Sequence, residues 1–256
     1  MTVSILTDRI RAARASGRKA LIPFLPAGFP DKERFFDELA ALDAAGADVI
    51  EIGVPFSDPV ADGPVVERAS LESLARGVSL SWIIGELTKR KARYKAALVL
   101  MGYFNPFFQY GLDKLAFDAA RAGISGLIVP DLPFEESHRV YSAIQGTNIS
   151  LIPLIGLNTP EARMRLYAER AEGFVYFVSV MGITGVRGDL PPEITRRLDL
   201  ARAIFSSLPI ALGFGIKSPE QLAPFGERID AVVFGSSLID HIREGGQAAS
   251  FMARWT

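Results

Sequence analysis

Short apolar runs alternate with longer amphipathic stretches along nearly the whole chain of 256 residues. This alternation is typical of parallel sheets built from strand–helix units, because helices cover the strands and keep them apolar. The pattern predicts eight strands, near residues 20–25, 48–53, 96–101, 126–130, 149–155, 174–179, 208–212 and 230–235. It predicts helical stretches near residues 32–45, 64–76 with 79–93, 111–122, 134–145, 159–171, 190–206, 218–226 and 237–254, after an opening helix at about 3–16.

Eight strand–helix units in a chain of this length predict an α/β fold, a (β/α)8 TIM barrel with an extra N-terminal helix. No stretch of linker composition interrupts the series, so residues 1–256 are expected to form a single domain. An open doubly wound sheet fits the count less well. Individual strand signals are weak, and seven or nine strands would also agree with the pattern.

The composition excludes several classes of function. A formal net charge of -1 gives no electrostatic reason to expect nucleic acid or an anionic membrane as a partner. The chain has no cysteine, which excludes disulfides and thiolate metal sites, and no His/Asp/Glu cluster has metal-ligand spacing, so no metal is expected. The N-terminus carries charges where a signal peptide needs an apolar core, and no apolar run could span a bilayer. We therefore expect a soluble cytoplasmic protein.

One acidic residue, Glu51, interrupts the second predicted strand, VIEIG. A carboxylate among apolar residues is unfavourable unless it has a partner or a task. Strand alternation places Val49, Glu51 and Gly53 inward and turns Ile50 and Ile52 toward the helices. Glu51 then lies near the C-terminal end of the strand, where this fold builds its active sites, and an apolar pocket should raise its pKa. The competing interpretation, a buried ion pair, finds no inward-facing cation in the predicted strands.

Two aspartates follow in the loop FSDPVADGP, Asp58 and Asp62. Aspartates beside proline and glycine often only stabilise turns. The position of this loop above the barrel favours catalysis instead, because the strand-to-helix loops build the site. Two carboxylates in different environments suit proton transfer on a small molecule.

Glycine-rich loops follow the last three predicted strands. They contain Gly182-Ile183-Thr184-Gly185, Gly213-Phe214-Gly215 and Gly235-Ser236. Turns need glycine and a serine can simply cap a helix, yet this is where the fold often binds phosphate through backbone amides. No Walker-type lysine follows, so a nucleoside triphosphate is not expected. The long loop after the sixth strand suits a mobile lid.

Seven motifs resemble those of the tryptophan synthase α subunit family. The most specific is EIGVPFSDPVADGP at 51–64. The others occur in the family's order over essentially the full chain: PFLPAGFPD at 23–31, MGYFNPF at 101–107, VPDLPFEES at 129–137, GITG at 182–185, GFGI at 213–216 and the pair Gly235-Ser236. The glycine motifs are shared with other phosphate-binding barrels.

The resemblance implies a lyase of tryptophan biosynthesis, which cleaves indole-3-glycerol phosphate by a retro-aldol reaction to indole and glyceraldehyde 3-phosphate. Glu51 resembles the family's acid–base glutamate. Asp62 resembles the aspartate that binds the indole N–H, and Thr184 the lid residue that orients this aspartate. Phe24 and Tyr176 resemble the aromatic walls of the indole pocket.

For the phosphate group, the resemblance implies four binding positions, Gly185, Gly215, Gly235 and Ser236. The lid sequence VRGDLP after Gly185 differs among relatives, so lid closure carries over less well than the catalytic pair.

The resemblance also implies an α2β2 heterotetramer with a β subunit that receives the indole. Pyridoxal phosphate belongs to that β subunit, and this chain is expected to need no cofactor. The loop Pro55–Asp62 and the segment near Asn105 and Asp131 resemble the family's partner-facing regions. Two alternatives remain at this point: a phosphate-binding TIM barrel of different specificity, and a non-catalytic module that binds the phosphorylated ligand.

Overall fold

The structure, a computed structural model, describes residues 4–91, 93–178, 190–213, 215–216 and 218–255. Its strands are β1 (Ala20–Pro26), β2 (Val49–Gly53), β3 (Ala97–Met101), β4 (Ile124–Ile128), β5 (Ser150–Leu151), β6 (Leu154–Gly156), β7 (Val175–Val178), β8 (Ile210–Gly213) and β9 (Ala231–Phe234). Its α-helices are α1 (Ile5–Ala15), α2 (Lys32–Ala44), α3 (Pro64–Ala75), α4 (Leu80–Lys89), α5 (Phe104–Tyr110), α6 (Leu112–Ala122), α7 (His138–Ile144), α8 (Glu161–Ala168), α9 (Pro192–Ile204), α10 (Ser236–Arg243) and α11 (Ala248–Met252). Two 3₁₀ helices span Phe134–Glu136 and Pro219–Arg228.

The described strands form one parallel sheet in the order β5-β4-β3-β2-β1-β9-β8-β7-β6. The two outer segments, β5 and β6, are the halves of the single fifth strand that the sequence predicts. Pro153 separates them because it has no N–H to donate to the ladder. Ile152 N donates to Leu127 O of β4 (2.9 Å), and Tyr176 N of β7 donates to Pro153 O (3.0 Å). The interrupted strand therefore joins both ends of the sheet, and the predicted TIM barrel is confirmed.

Several element boundaries differ from the prediction. β4 begins at Ile124 rather than near 126, because Gly123 ends α6 in the left-handed conformation (φ 87°) and the chain enters the strand at once. Helix α5 was not predicted from the sequence. Its Pro106 lies in the first turn, where a proline removes no helical hydrogen bond. The predicted last helix is split into α10 and α11 at Gly245 (φ 91°).

Strand alternation separates two apolar layers. Val49 of β2 belongs to a cluster inside the barrel, together with Val99 and Val233. Ile50 and Ile52 belong to a second cluster, between the barrel and its surrounding helices. The predicted inward and outward faces of β2 are therefore confirmed.

The predicted N-terminal helix, α1, closes the N-terminal end of the barrel. Its residues Leu6 and Ile10 are fully buried and belong to the interior cluster. Leu6 lies where a side chain at Gly126 or Gly173 would be, since a Cβ at those positions would come within 2.8 Å and 3.1 Å of Leu6 Cδ1. Thr7 Oγ1 donates to Gly173 O (2.5 Å) and fixes the helix against the barrel.

Replacing Leu6 by alanine is expected to lower the free energy of unfolding by about 2–5 kcal/mol, because it leaves a cavity in the barrel floor. Denaturation in urea, followed by circular dichroism, measures this loss. Ile5→Ala on the same helix is the matched control: Ile5 is 44% exposed, and its replacement should change stability by less than about 0.5 kcal/mol. Equal effects of the two substitutions would contradict the role of α1 as the barrel floor.

Candidate active site

A cavity of about 290 Å³ opens at the C-terminal end of the barrel. Its lining comes from strand ends and from the loops that follow them: Phe24, Glu51, Asp62, Gly63, Val66, Met101, Tyr176, Gly215, Ile216, Val233, Phe234, Gly235, Ser236 and Ser237. Asp58 does not line the cavity. The cavity brings together all the site residues that the family resemblance implies except Thr184 and Gly185. Those two lie outside the described residues.

Glu51 is completely buried in the wall of this cavity. Parallel pairing places it beside Phe24 of β1 and Val99 of β3. Neither of its carboxylate oxygens has a hydrogen-bond partner among the described residues, and no ion pair involving it occurs there. Burial raises the pKa of Glu51 well above its usual range. Burial of this unpaired carboxyl group therefore favours its protonated form.

Asp62 lines the same cavity from the loop between β2 and α3. Burial raises its pKa to about 6, and the Tyr103 hydroxyl acts in the opposite direction. Asp62 does not cap the following helix, since the N-cap of α3 is Gly63 and no side chain accepts a hydrogen bond there. A pKa of about 6 leaves Asp62 mainly ionised at neutral pH, whereas burial favours the protonated form of Glu51. The two carboxyl groups thus lie in environments that favour different charge states, an arrangement that suits proton transfer.

Tyr176 forms another wall of the cavity. Its side chain is buried, and this burial, followed by the neighbouring acidic groups of Glu51 and Asp62, raises the pKa of its hydroxyl. The hydroxyl therefore stays protonated near both acids. Glu51, Asp62 and Tyr176 influence one another's protonation because all three line one cavity.

Three glycines make room for the aromatic walls. A Cβ at Gly213 would come within 2.3 Å of Tyr176, and a Cβ at Gly53 within 2.6 Å of the Phe24 ring. A Cβ at Gly235 would meet the opposite edge of Phe24 at 2.9 Å. The Phe24 ring therefore fills the space above Gly53. The ligand cavity lies beyond that ring.

One end of the cavity is rich in backbone amides. Helix α10 begins after Gly235, and its first helical hydrogen bond runs from Ile239 N to Gly235 O (2.9 Å). The amides of Ser236, Ser237 and Leu238 therefore have no acceptor within the helix. Partial positive charge at a helix N-terminus favours an anion.

Two residues of this region had no role in the sequence analysis. Ser237 lines the cavity, and its buried hydroxyl has no hydrogen-bond partner among the described residues. The Tyr103 hydroxyl accepts the amide of Ala61 in the loop that carries Asp62. In the sequence this tyrosine was only part of the motif MGYFNPF. Two signals could have identified them: a serine in the first turn of α10 for Ser237, and a hydroxyl just after the third strand for Tyr103.

In the part of the chain that the structure describes, no three His, Cys, Asp or Glu side chains group closely enough to hold a metal ion. Within the same residues, no helix is both long and apolar enough to cross a membrane.

Comparison with known proteins places this site in context. The family model described as tryptophan synthase alpha chain matches residues 10–254. The tryptophan synthase alpha chain of Solidesulfovibrio magneticus is 66% identical, and the match covers 100% of this chain and 99% of that one. The corresponding chain of Desulfovibrio desulfuricans is 59% identical, with 99% and 100% covered.

Solved structures agree with this similarity. The tryptophan synthase alpha chain of Legionella pneumophila superposes with a TM-score of 0.86 at 32% identity, covering 99% of this chain and 95% of that one. A chain of Mycobacterium tuberculosis tryptophan synthase gives a TM-score of 0.88 at 32% identity, with 99% of each chain covered.

Proposed function

The chain belongs to the tryptophan synthase alpha chain family, and we propose that Glu51 and Asp62 catalyse its lyase reaction, the cleavage of indole-3-glycerol phosphate. The chain is accordingly a carbon–carbon lyase of tryptophan biosynthesis, releasing indole and glyceraldehyde 3-phosphate. The observation that carries the assignment of Glu51 is its fully buried, unpaired carboxyl group in the cavity wall. The family match over residues 10–254 does not favour a non-catalytic barrel or one of another specificity.

Glu51 acts as acid and then as base. Its protonated carboxyl group gives a proton to carbon 3 of the indole ring, which produces an indolenine with positive charge on the ring nitrogen. The Glu51 carboxylate then takes the proton of the neighbouring glycerol hydroxyl. The carbon–carbon bond breaks as this hydroxyl becomes an aldehyde, and the bond's electron pair restores the aromatic ring. Glu51 ends the cycle protonated.

Asp62 supplies the negative charge that this intermediate needs. Its ionised carboxylate accepts the indole N–H and stabilises the positive charge that develops on the ring nitrogen. The apolar rings of Phe24 and Tyr176 form the walls against which the indole packs. Thr184, which lies outside the described residues, is proposed from the family resemblance to orient Asp62 when the lid closes.

The phosphate group is proposed to bind at the amide-rich end of the cavity. Gly215, Gly235 and Ser236 line that end, and the N-terminus of α10 points its amides there. Gly185 is proposed as a further contact on the resemblance alone, because it lies outside the described residues.

Glycerol 3-phosphate is expected to inhibit indole release competitively, raising KM without changing kcat, because it can occupy the phosphate end alone. Steady-state kinetics measures this, with glycerol as the control that lacks the anion. Ser236→Asp should abolish the inhibition: an acid in the first turn of a helix favours the helix but repels the phosphate. Absence of inhibition in the unaltered chain, or equal inhibition by glycerol, would contradict this phosphate site.

The partner is proposed to be a tryptophan synthase β subunit, in an α2β2 assembly located in the cytoplasm. Val60 (85% exposed) and Phe108 of α5 are large apolar side chains exposed beside the cavity mouth. Asp131 Oδ1 accepts the Phe104 amide (2.8 Å) and holds α5 in this region. These loops include the partner-facing segments that the resemblance implies. Pyridoxal phosphate is proposed to belong to the β subunit, with no cofactor in this chain.

Indole release from indole-3-glycerol phosphate tests the proposed function. We expect release by the purified chain and a change in its rate when the β subunit is added. A purified chain that released no indole with or without the β subunit would overturn the proposal. Glu51 and Asp62 are then tested by substitution, as described in the Discussion.

A further inference from the structure

The loop that carries Asp62 is anchored at two points by one side chain, Tyr103. The Ala61 amide donates a hydrogen bond to the Tyr103 hydroxyl (2.9 Å). Nearer the start of the loop, the Phe56 ring packs on the Tyr103 ring with centroids 5.3 Å apart. Between these two contacts Ser57, Asp58 and Val60 are exposed. The conformation of the loop next to Asp62 therefore depends on Tyr103.

Tyr103 itself is held rigidly. It is 3% exposed and lies between the end of β3 and the start of α5. The residue before it, Gly102, donates its amide to Ile128 O (3.0 Å). The residue after it, Phe104, donates its amide to Asp131 Oδ1 (2.8 Å). Both flanking amides are thus bound by β4 and the residues that follow it, so the phenol is a fixed point against which the loop is placed.

We propose that Tyr103 is a positioning residue of the lyase, whose hydroxyl holds the loop so that the Asp62 carboxylate faces the indole end of the cavity. The proposal rests on the catalytic role of Asp62 stated above. Tyr103 does not line the cavity and exchanges no proton with the substrate. Its effect on the reaction passes through Asp62.

The charges around Asp62 agree with this placement. Burial and the nearby carboxylate of Glu67, on α3, raise the pKa of Asp62, whereas the Tyr103 hydroxyl lowers it. Tyr176 and Glu51 line the same cavity as Asp62, and the charge of Asp131 also acts on Tyr103. Tyr103 is therefore the group in the described structure that favours the ionised form of Asp62, which is the form that stabilises a cationic ring.

Tyr103→Phe tests the proposal because it keeps the ring against Phe56 and removes only the hydroxyl. We expect kcat for indole release to fall about tenfold, the size of effect expected when one hydrogen bond is lost. The acid limb of the kcat/KM profile should move to higher pH, because the substitution removes the group that lowers the pKa of Asp62.

The shift of the acid limb shows whether this limb comes from Asp62 or from the phosphate group of the substrate. The phosphate of the substrate also titrates at about pH 6, so a limb near that pH in the wild-type chain would not identify its origin. A limb that belongs to the substrate phosphate cannot move when Tyr103 is changed. A limb that belongs to Asp62 moves upward.

Tyr110→Phe is the matched control. Tyr110 ends α5, the helix that follows Tyr103, and its hydroxyl donates to Asp118 Oδ2 of α6 (2.8 Å), outside the cavity. We expect wild-type kcat and an unmoved acid limb for this variant. Amide hydrogen exchange tests the loop without catalysis. The Ala61 amide should exchange faster in Tyr103→Phe than in the wild type, and at the wild-type rate in Tyr110→Phe.

Asp62→Asn separates the two proposals. If Asp62→Asn is inactive while Tyr103→Phe matches the wild type in rate, acid limb and Ala61 exchange, Tyr103 is not a positioning residue and the proposed function stands. If Asp62→Asn retains wild-type activity, the proposed function fails and the inference about Tyr103 fails with it. Loss of rate with an unmoved acid limb and unchanged Ala61 exchange would also overturn the role of Tyr103.

Discussion

Glu51→Gln is expected to keep the fold and the cavity but to lower the rate of indole release by a factor of about 10²–10⁴. Glutamine has the shape of the protonated glutamate but cannot transfer a proton to the ring or accept one from the glycerol hydroxyl. Substrate binding should change little, because the side chain is uncharged in both forms. Steady-state and single-turnover indole release measures kcat and KM separately.

Glu38→Gln is the control for burial of a glutamate. Glu38 is also buried, but both of its oxygens have partners: Oε1 contacts Arg34 Nε (3.0 Å) and Oε2 accepts the Ala248 amide (2.7 Å). We expect this variant to lose about 1–3 kcal/mol of stability and to keep its activity. Glu51→Gln should show the reverse pattern. Near-wild-type cleavage by Glu51→Gln would refute the assignment of Glu51.

The wild type and Glu51→Gln are also expected to differ in how their stability depends on pH. The usual pKa of a glutamate is 4.5, and burial holds the pKa of Glu51 well above it in the folded state. Above pH 4.5 the unfolded chain releases this proton while the folded chain keeps it. The unfolding free energy of the wild type should therefore fall relative to Glu51→Gln as pH rises, by up to about 1.4 kcal/mol per pH unit, until Glu51 ionises in the folded state.

Asp62→Asn is expected to lower kcat by about 10²–10³-fold, because an amide cannot neutralise the positive charge of the indolenine. The substitution keeps the size of the side chain and should leave the fold intact. Indole release at saturating substrate measures the loss, and thermal unfolding verifies the fold.

Asp58→Asn, in the same loop, answers the question that the sequence left open about the two aspartates. Asp58 is exposed and does not line the cavity, so the isolated chain should keep most of its activity when Asp58 is changed. A full rate in Asp62→Asn, or equal losses in both variants, would leave Asp62 as a residue that only shapes the turn.

The barrel could be predicted from the sequence because each strand–helix unit repeats one local pattern. The interruption of the fifth strand was not predicted. It follows from Pro153, and the effect of a proline on the hydrogen-bond ladder depends on which neighbouring strand its missing N–H would face. Helix α5 was missed because an aromatic segment that contains a proline has no clear helical period. Strand β4 was placed two residues late, since the left-handed turn at Gly123 leaves no linker before it.

Site residues could be predicted where the position of a residue along its own strand is enough to determine its surroundings. Glu51 could be placed because strand alternation alone turns it inward. Gly213 could not be understood in this way: it was taken as part of a phosphate loop, whereas its missing side chain makes room for Tyr176. The contacts of Tyr103 and Ser237 depend on how loops from separate strands pack together, which local sequence patterns do not specify.

The central claim is that Glu51 is a protonated acid in the resting enzyme, ready to give its proton to the indole ring. The infrared difference spectrum between the wild type and Glu51→Gln at pH 7 tests this directly. We expect the wild type to have a carboxylic-acid C=O band that the variant lacks, with no loss of a carboxylate band. A spectrum in which only carboxylate bands disappear would show an ionised Glu51 and contradict the claim.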